Sequence, residues 1–439
     1  MLKDVKLNGI GDVFKPNALP DHTYVDRRID EYGDTYTEQL QKALLNPGTL
    51  IAITGASKSG KTVLCHKAIR NTIIDLSASQ IESREDFWNQ IGEQLELPDE
   101  VQIKTSQSEN DVEKTQITGE LSIKVAKINI SAGKDNTGSK GNEISHRILR
   151  SQSSMMKYII DNDFVLVIDD FHYASEDIQL YIARTIKTYL INGLKVIILS
   201  LPHRADDAIR LNPDLIGRTS FIEIAPWSID ELKEIGLKGF PLLNIAVDDV
   251  VLEHMAVESI SSPQLMQDIC FNLAYRMEKN NATTVSREMV AVALRETVKK
   301  HKQVYSHVLK AALEGPAQGK NKRTHYILQD GRQVDIYMLL LISISSDPPE
   351  LSLSVQEIQR RFSNLLAENN VKQPRSIDIS NAVKNIKNIM KERANNLDTI
   401  DWKAKTLYIL DSFLLFIKPS IYTGDIYCHN YFIAITRQI

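Results

Sequence analysis

At 439 residues, and with about 150 residues to a typical domain, the chain is expected to fold as two or three domains rather than around one core. Hydrophobic residues at 43% and charged residues at 25% match soluble globular proteins, which excludes wholesale disorder, collagen-like repeats and a fibrous helix. The 52 basic and 56 acidic side chains leave a formal charge of -4, so any surface for a polyanion has to be local.

In chain order, the first informative element is the apolar run Leu50, Ile51, Ala52 and Ile53, read as a strand. It leads into Gly55-Ala56-Ser57-Lys58-Ser59-Gly60-Lys61-Thr62, which has the spelling GxxxxGKT. Gly55 and Gly60 let the backbone turn tightly enough to aim successive N–H groups at phosphate oxygens, and a helix opening near Lys61 adds its positive end. Lys61 can reach the β and γ phosphates as a point charge, and the Thr62 hydroxyl can coordinate magnesium. Val63, Leu64, Ala68, Ile69 and Thr72 continue with the helical spacing that such a loop requires, so residues 55–63 are the candidate nucleotide cradle.

A helix is centred on Trp88, and residues 99–142 then read as a polar insertion rich in Ser, Thr, Gly and Lys, with a short hairpin or bulged strand around 121–130. The next buried strand, Phe164-Val165-Leu166-Val167-Ile168, ends on Asp169-Asp170. Carboxylates at the C-terminal end of a parallel strand sit where α/β sheets bind ligands. Asp169 is the expected magnesium partner, and Asp170 is placed to orient or deprotonate an attacking water, with a helix cap or solvated loop acid as the alternative. After a helix from Ser175 to about Asn192 comes the strand 195–200. Ser200 and Arg204 leave its end as candidate γ-phosphate contacts, the alternative being an ordinary strand exit.

Further along, Arg218 precedes the short strand 221–224. Ser228 and Glu231 then form a capping box, with Trp227 and Leu232 as a hydrophobic staple. Helices are expected near 248–258, 263–278 and 286–300, the second opened by Ser262 and Pro263. The run 314–323 reads as a linker. Beyond it, helices at 336–345, 354–369 and 376–394 and an extended stretch over 397–410 form a separate module. On the third of these helices Ile379, Val383, Ile386 and Met390 mark the core face, while Lys384, Lys387 and Lys391 share another. Residues 419–439 form an aromatic tail expected to dock on its own chain or on a partner.

Residues 49–275 resemble the AAA+ and STAND branches of the P-loop ATPases, particularly the origin-initiator-like and STAND signalling types. The phosphate loop, the Asp169-Asp170 pair and Ser200 at the sensor-1 position carry the resemblance. It implies an ATPase using ATP and Mg2+, with the α/β P-loop NTPase fold of a parallel sheet, a helical lid and a C-terminal winged-helix domain. Arg218 is similar in position to the family's arginine finger, which reaches a neighbour's γ phosphate, so a homo-oligomer formed through the Arg218 face is implied, with a plain surface arginine as the alternative. The chain departs from the family at Ser261-Ser262-Pro263-Gln264, where the lid arginine is replaced and Gln264 could touch a phosphate without charge. The N-terminal stretches 13–16 and 23–28 look like the segment that packs on adenine in these families, with Tyr24 and Val25 against the base and a simple N-terminal strap as the alternative.

The implied divisions are an adenine-side segment at 1–48, the ATPase core at 49–225, a lid at 226–313, a linker at 314–330, the winged-helix-like module at 331–418 and the tail. Asp411-Ser412-Phe413 resembles the Asp-Pro-Phe segment that follows winged helices in related ATPases. Duplex DNA at Lys384, Lys387 and Lys391 is an implied partner, as is a protein effector, and similar bacterial proteins resemble components of anti-phage defence or DNA-associated regulation. Two rival readings stay open: a nucleotide-gated binding module with little hydrolysis, and a DNA-binding regulator whose P-loop is secondary. Cys65, Cys270 and Cys428 stand far apart with no metal-ligand spacing, the N-terminus lacks a signal-peptide profile, and no run of about eighteen apolar residues occurs. A cytoplasmic chain with no membrane partner is the expectation.

Overall fold

The structure is a computed structural model, and it describes residues 9–29, 33–96, 152–204, 215, 217–316, 323–346, 348–368, 373–393 and 399–416. The insertion at 99–142 and the tail at 419–439 lie outside the described residues. The chain divides into two compact units, one of residues 26–55 and 61–224 and one of residues 1–25, 56–60 and 225–439.

The first unit is built on a five-stranded parallel sheet of β1 (Leu50–Thr54), β2 (Ile73–Ser77), β3 (Val165–Asp169), β4 (Lys195–Ser200) and β5 (Thr219–Glu223), in the order β2-β3-β4-β1-β5. All five residues of β1 are buried, because helices cover both faces, as a parallel sheet requires. On one face α1 (Tyr36–Leu44) and α2 (Lys61–Ala68) enclose Ile51, Ile53, Val165, Val167, Ile197 and Leu199. On the other, α3 (Arg84–Gln94), α4 (Gln152–Asp161) and α5 (Glu176–Leu190) bury Leu50, Leu166, Ile168, Val196 and Ile198. Each such side chain contributes about 1.5–3 kcal/mol by leaving water. Thr35 and Ser83 form capping boxes with Glu38 and Asp86, and Ser175 caps α5 as its sequence predicts.

Register decides what meets at the C-terminal edge. Thr54 lies beside Ser200 on one side and Glu223 on the other, while Ser77 lies beside Asp169. The phosphate-loop sequence and both acids of the Asp169-Asp170 pair therefore leave the same edge.

The second unit has one continuous core. It contains the helices α6 (Ile229–Gly239), α7 (Asp249–Glu258) and α8 (Pro263–Lys279), followed by α9 (Arg287–Glu314). The sequence predicts that this last helix stops near residue 300. It continues to Glu314 and ends at Gly315, whose positive φ of 61° suits a residue without Cβ. A small hairpin, β6 (Tyr326–Ile327) with β7 (Gln333–Val334), precedes α10 (Ile336–Ile344). The three-helix expectation is met by α10, α11 (Val355–Leu365) and α12 (Ser376–Arg393). The extended C-terminal stretch folds back as β9 (Ile400–Lys403) and β10 (Thr406–Ile409), and β8 (Ser352–Ser354) joins them in the antiparallel order β8-β10-β9. Ile379, Val383, Ile386 and Met390 of α12 are all buried, as their spacing predicts. The short helix α13 (Ser412–Phe416) closes the described chain. Among the described residues no helix is long and apolar enough to cross a membrane.

Candidate functional site

The phosphate loop begins where β1 ends. The Gly55 N–H donates to the Ser200 carbonyl at 3.3 Å, which fixes the first residue of the loop to the neighbouring strand. Gly60 has φ +94°, a conformation open to glycine and costly for other residues, and it lets the chain turn into α2. Val63, half-buried, sits in the first turn of that helix. Ala56, Ser57 and Lys58 stay partly exposed whereas Ser59 is buried. The Trp227 indole donates to the Ser59 carbonyl at 2.9 Å, so this tryptophan also ties the loop, a role its sequence setting as a staple residue does not reveal.

Lys61 is buried, and its ammonium donates to the Gly55 carbonyl at 2.9 Å, folding the side chain back across the loop. Burial lowers its pKa, and the negative charges of Asp169 and Asp170 oppose that shift. Thr62 donates its hydroxyl to Asp169 Oδ2 at 2.5 Å, while Asp169 Oδ1 accepts the Asp170 N–H at 2.7 Å. The two oxygen ligands expected to share a magnesium ion are thus brought together by the ends of β3 and the loop. Hard oxygen donors of this kind fit Mg2+, which commonly takes one or two protein oxygens and fills its shell with phosphate and water. Among the described residues no group of three or more His, Cys, Asp or Glu could by itself hold a metal ion.

Asp170 sits in the left-handed region, φ 55° and ψ 36°, at the start of the turn Phe171–Tyr173. Partial burial and the charge of Asp169 push its pKa up to about 6, against the pull of Lys61. A carboxylate held there is poised to exchange a proton near neutral pH. Two neighbours escaped the sequence reading. His66, one turn after Thr62, pairs with Asp75 of β2 at 3.3 Å, and burial raises the pKa of Asp75. Asp75 interrupts a short apolar strand, and that interruption was the available signal.

The remaining candidates are distributed. Ser200 is buried at the end of β4 beside Thr54. Arg204, half-buried, ends the turn Pro202–Arg204 that follows. Arg218 is exposed and precedes β5, where its carbonyl accepts the Leu50 N–H at 2.8 Å. That places it at the N-terminal edge of the sheet, five residue steps or roughly 16 Å from the edge that carries the loop. It stands at the edge opposite its own loop, as an exposed arginine.

In the second unit Val25 is buried in the core, and the half-buried Tyr24 offers its carbonyl to Lys238 at 2.9 Å. Gln267 of α8 binds the Thr23 hydroxyl at 2.7 Å, and Gln264 binds Asn17 at 3.0 Å, so these residues strap the N-terminal segment to α8. Lys384 and Lys391 are exposed on α12, but Lys387 donates to Asp401 of β9 at 2.6 Å, so the three lysines do not form one open basic row. The adjacent strand supplies a carboxylate that helix periodicity alone does not reveal.

No protein-family model and no curated protein matches the chain. Similar solved structures include a Walker-type ATPase of Pyrococcus abyssi, at 14% identity over 90% of this chain and 99% of that one, with a TM-score of 0.49. Cdc6p from Pyrobaculum aerophilum is 13% identical over 93% of this chain and 96% of its own, at a TM-score of 0.41. The Aeropyrum pernix ORC2 protein is 14% identical over 91% and 96%, at 0.43. The α/β fold with a five-stranded parallel sheet and a phosphate loop after its first strand matches the expected class.

Proposed function

We propose that the chain is a Mg-ATP-dependent P-loop switch that hydrolyses ATP. The observation that supports this most directly is the Thr62–Asp169 bond at 2.5 Å, which joins the helix after the loop to the acid that ends β3. Lys61 would leave the Gly55 carbonyl to neutralise phosphate oxygens, and the loop N–H groups and the N-terminus of α2 would hold the rest of the anion. Bound magnesium would supply charge neutralisation at the β and γ oxygens, with Thr62 and Asp169 as its protein ligands. Asp170 would orient the attacking water and accept its proton, Ser200 and Arg204 would contact the terminal phosphate, and Arg218 would complete the site of a neighbouring copy.

On this reading residues 49–225 form the ATPase core, 226–313 the lid and 331–418 a winged-helix-like module. Calorimetry with Mg-ATP tests the central claim. Lys61→Ala should weaken binding about 10- to 100-fold through loss of a charged hydrogen bond, and unchanged affinity would remove the phosphate-loop reading.

A second reading, contact of the C-terminal module with duplex DNA, is favoured by exposed Lys384 and Lys391 on α12 next to a three-stranded sheet. It would be salt-sensitive backbone contact rather than base reading. A role in anti-phage defence or DNA-associated regulation draws on the sequence resemblance, and loss of either phenotype in a Lys61→Ala strain is the corresponding check.

A further inference from the structure

The loop residues Ala56–Gly60 group with the unit that holds the C-terminal module, and Lys58 is where that grouping acquires chemistry. Lys58 adopts φ 60°, a left-handed conformation unfavourable for a residue with a Cβ, which persists where the surroundings hold it. Its ammonium donates to Asp411 Oδ2 at 2.8 Å and lies 4.3 Å from the centroid of the Phe413 ring. Asp411 is buried, and it also accepts from the Tyr305 hydroxyl of α9 and from the Phe413 N–H at 3.0 Å. The Phe413 ring is fully buried and packs 4.0 Å from the His301 ring, which is itself tied to Asp268 at 2.9 Å. The segment Asp411–Phe416 is therefore a built socket around one lysine. Among the described residues Lys58 is the cation bonded to Asp411.

Lys58 is also the only loop cation besides Lys61. We infer that Asp411 and Phe413 form a latch that withholds Lys58 from the nucleotide, so that docking of the C-terminal segment and capture of a triphosphate oppose each other. If Lys58 turns to the phosphates, Asp411 stays buried without a counter-charge, which disfavours the docked segment. If Lys58 stays on Asp411, the phosphates meet a neutral pair with a carboxylate behind it. Either way the two events carry a coupling of unfavourable sign, and linkage makes it reciprocal. The inference rests on the reading of residues 55–62 as a phosphate cradle.

The test uses the full chain and a fluorescent methylanthraniloyl ATP with magnesium. Asp411→Asn keeps the shape of the socket and removes its charge, and should tighten binding by about fivefold or more. In a Lys58→Ala background the same change should have no effect, because the latched cation is gone. In the wild type, saturating nucleotide should raise amide hydrogen exchange over 411–416. That readout needs no variant and stands if Asp411→Asn does not fold. Binding by Asp411→Asn equal to or weaker than wild type overturns the latch, as does exchange over 411–416 that nucleotide leaves unchanged. If wild type binds no better than Lys61→Ala, the phosphate-cradle reading fails and the latch falls with it. Lys61-dependent binding that Asp411→Asn fails to tighten removes the latch alone.

Discussion

Asp170 offers a prediction whose sign is opposite to that of most protein carboxylates. Its pKa is pushed up from 3.8 to about 6 by partial burial and the charge of Asp169. A raised carboxyl pKa means that the folded state holds the proton more tightly than the unfolded chain does, so the ionised group destabilises the fold at any pH above about 6. A shift of about two units corresponds to about 3 kcal/mol as an upper limit. Solvent screening at this partly exposed site brings it to roughly 1–2 kcal/mol. Asp170→Asn removes the charge and nearly preserves the shape. In metal-free and nucleotide-free protein the variant should melt roughly 2–8 °C higher than wild type at pH 8. The gain should shrink as pH falls through about 6 and vanish below 3.8, where Asp170 is protonated in both states. Scanning calorimetry from pH 4 to pH 8 checks this, and phosphate release by the same variant should drop about 10²- to 10⁴-fold if Asp170 is the base. A variant that melts below wild type at pH 8, or whose gain is independent of pH, refutes the electrostatic account of this residue.

Other outcomes follow from the same geometry. Arg218→Ala should leave ATP affinity unchanged at low protein concentration while slowing turnover about 10³-fold or more in the assembled form, as measured by phosphate release against protein concentration. The triple variant Lys384→Ala/Lys387→Ala/Lys391→Ala should flatten the salt dependence of duplex DNA binding by about two contacts, not three, because Lys387 is committed to Asp401; gel shifts at several salt concentrations report this. Gly239→Ala should destabilise the second unit by about 1–3 kcal/mol in urea, since a Cβ there would lie 2.4 Å from the buried Phe14 ring.

The sequence carries the phosphate-loop octet and the Asp169-Asp170 pair almost completely, because both are local: one contiguous octet and one apolar strand ending in acids. Helix starts were equally legible at Ser175, Ser228 and Ser262, where side-chain caps hold each first turn. The hairpin of β6 and β7 had a signal in Asp330-Gly331, and the bond from the Gly331 N–H to the Leu328 carbonyl at 2.9 Å shows the turn it encodes. Strand β8 is only three residues long, too short for alternation to register. Pairings between distant residues left no trace at all. Lys58 and Asp411 are 353 positions apart, and Lys387 meets Asp401 only because a strand folds back along a helix. Periodicity identifies a face, but the partner of that face is set by tertiary packing.

The uninterrupted course of α9 has a mechanical consequence. Its 28 residues make a rod of about 42 Å. The rod packs against α8, α10, α12 and α13. A rod seated at both ends in a single hydrophobic mass transmits rotation without slack. A tilt imposed on α8 would therefore be carried along the helix to α10, α12 and α13, where a flexible joint would have dissipated the motion.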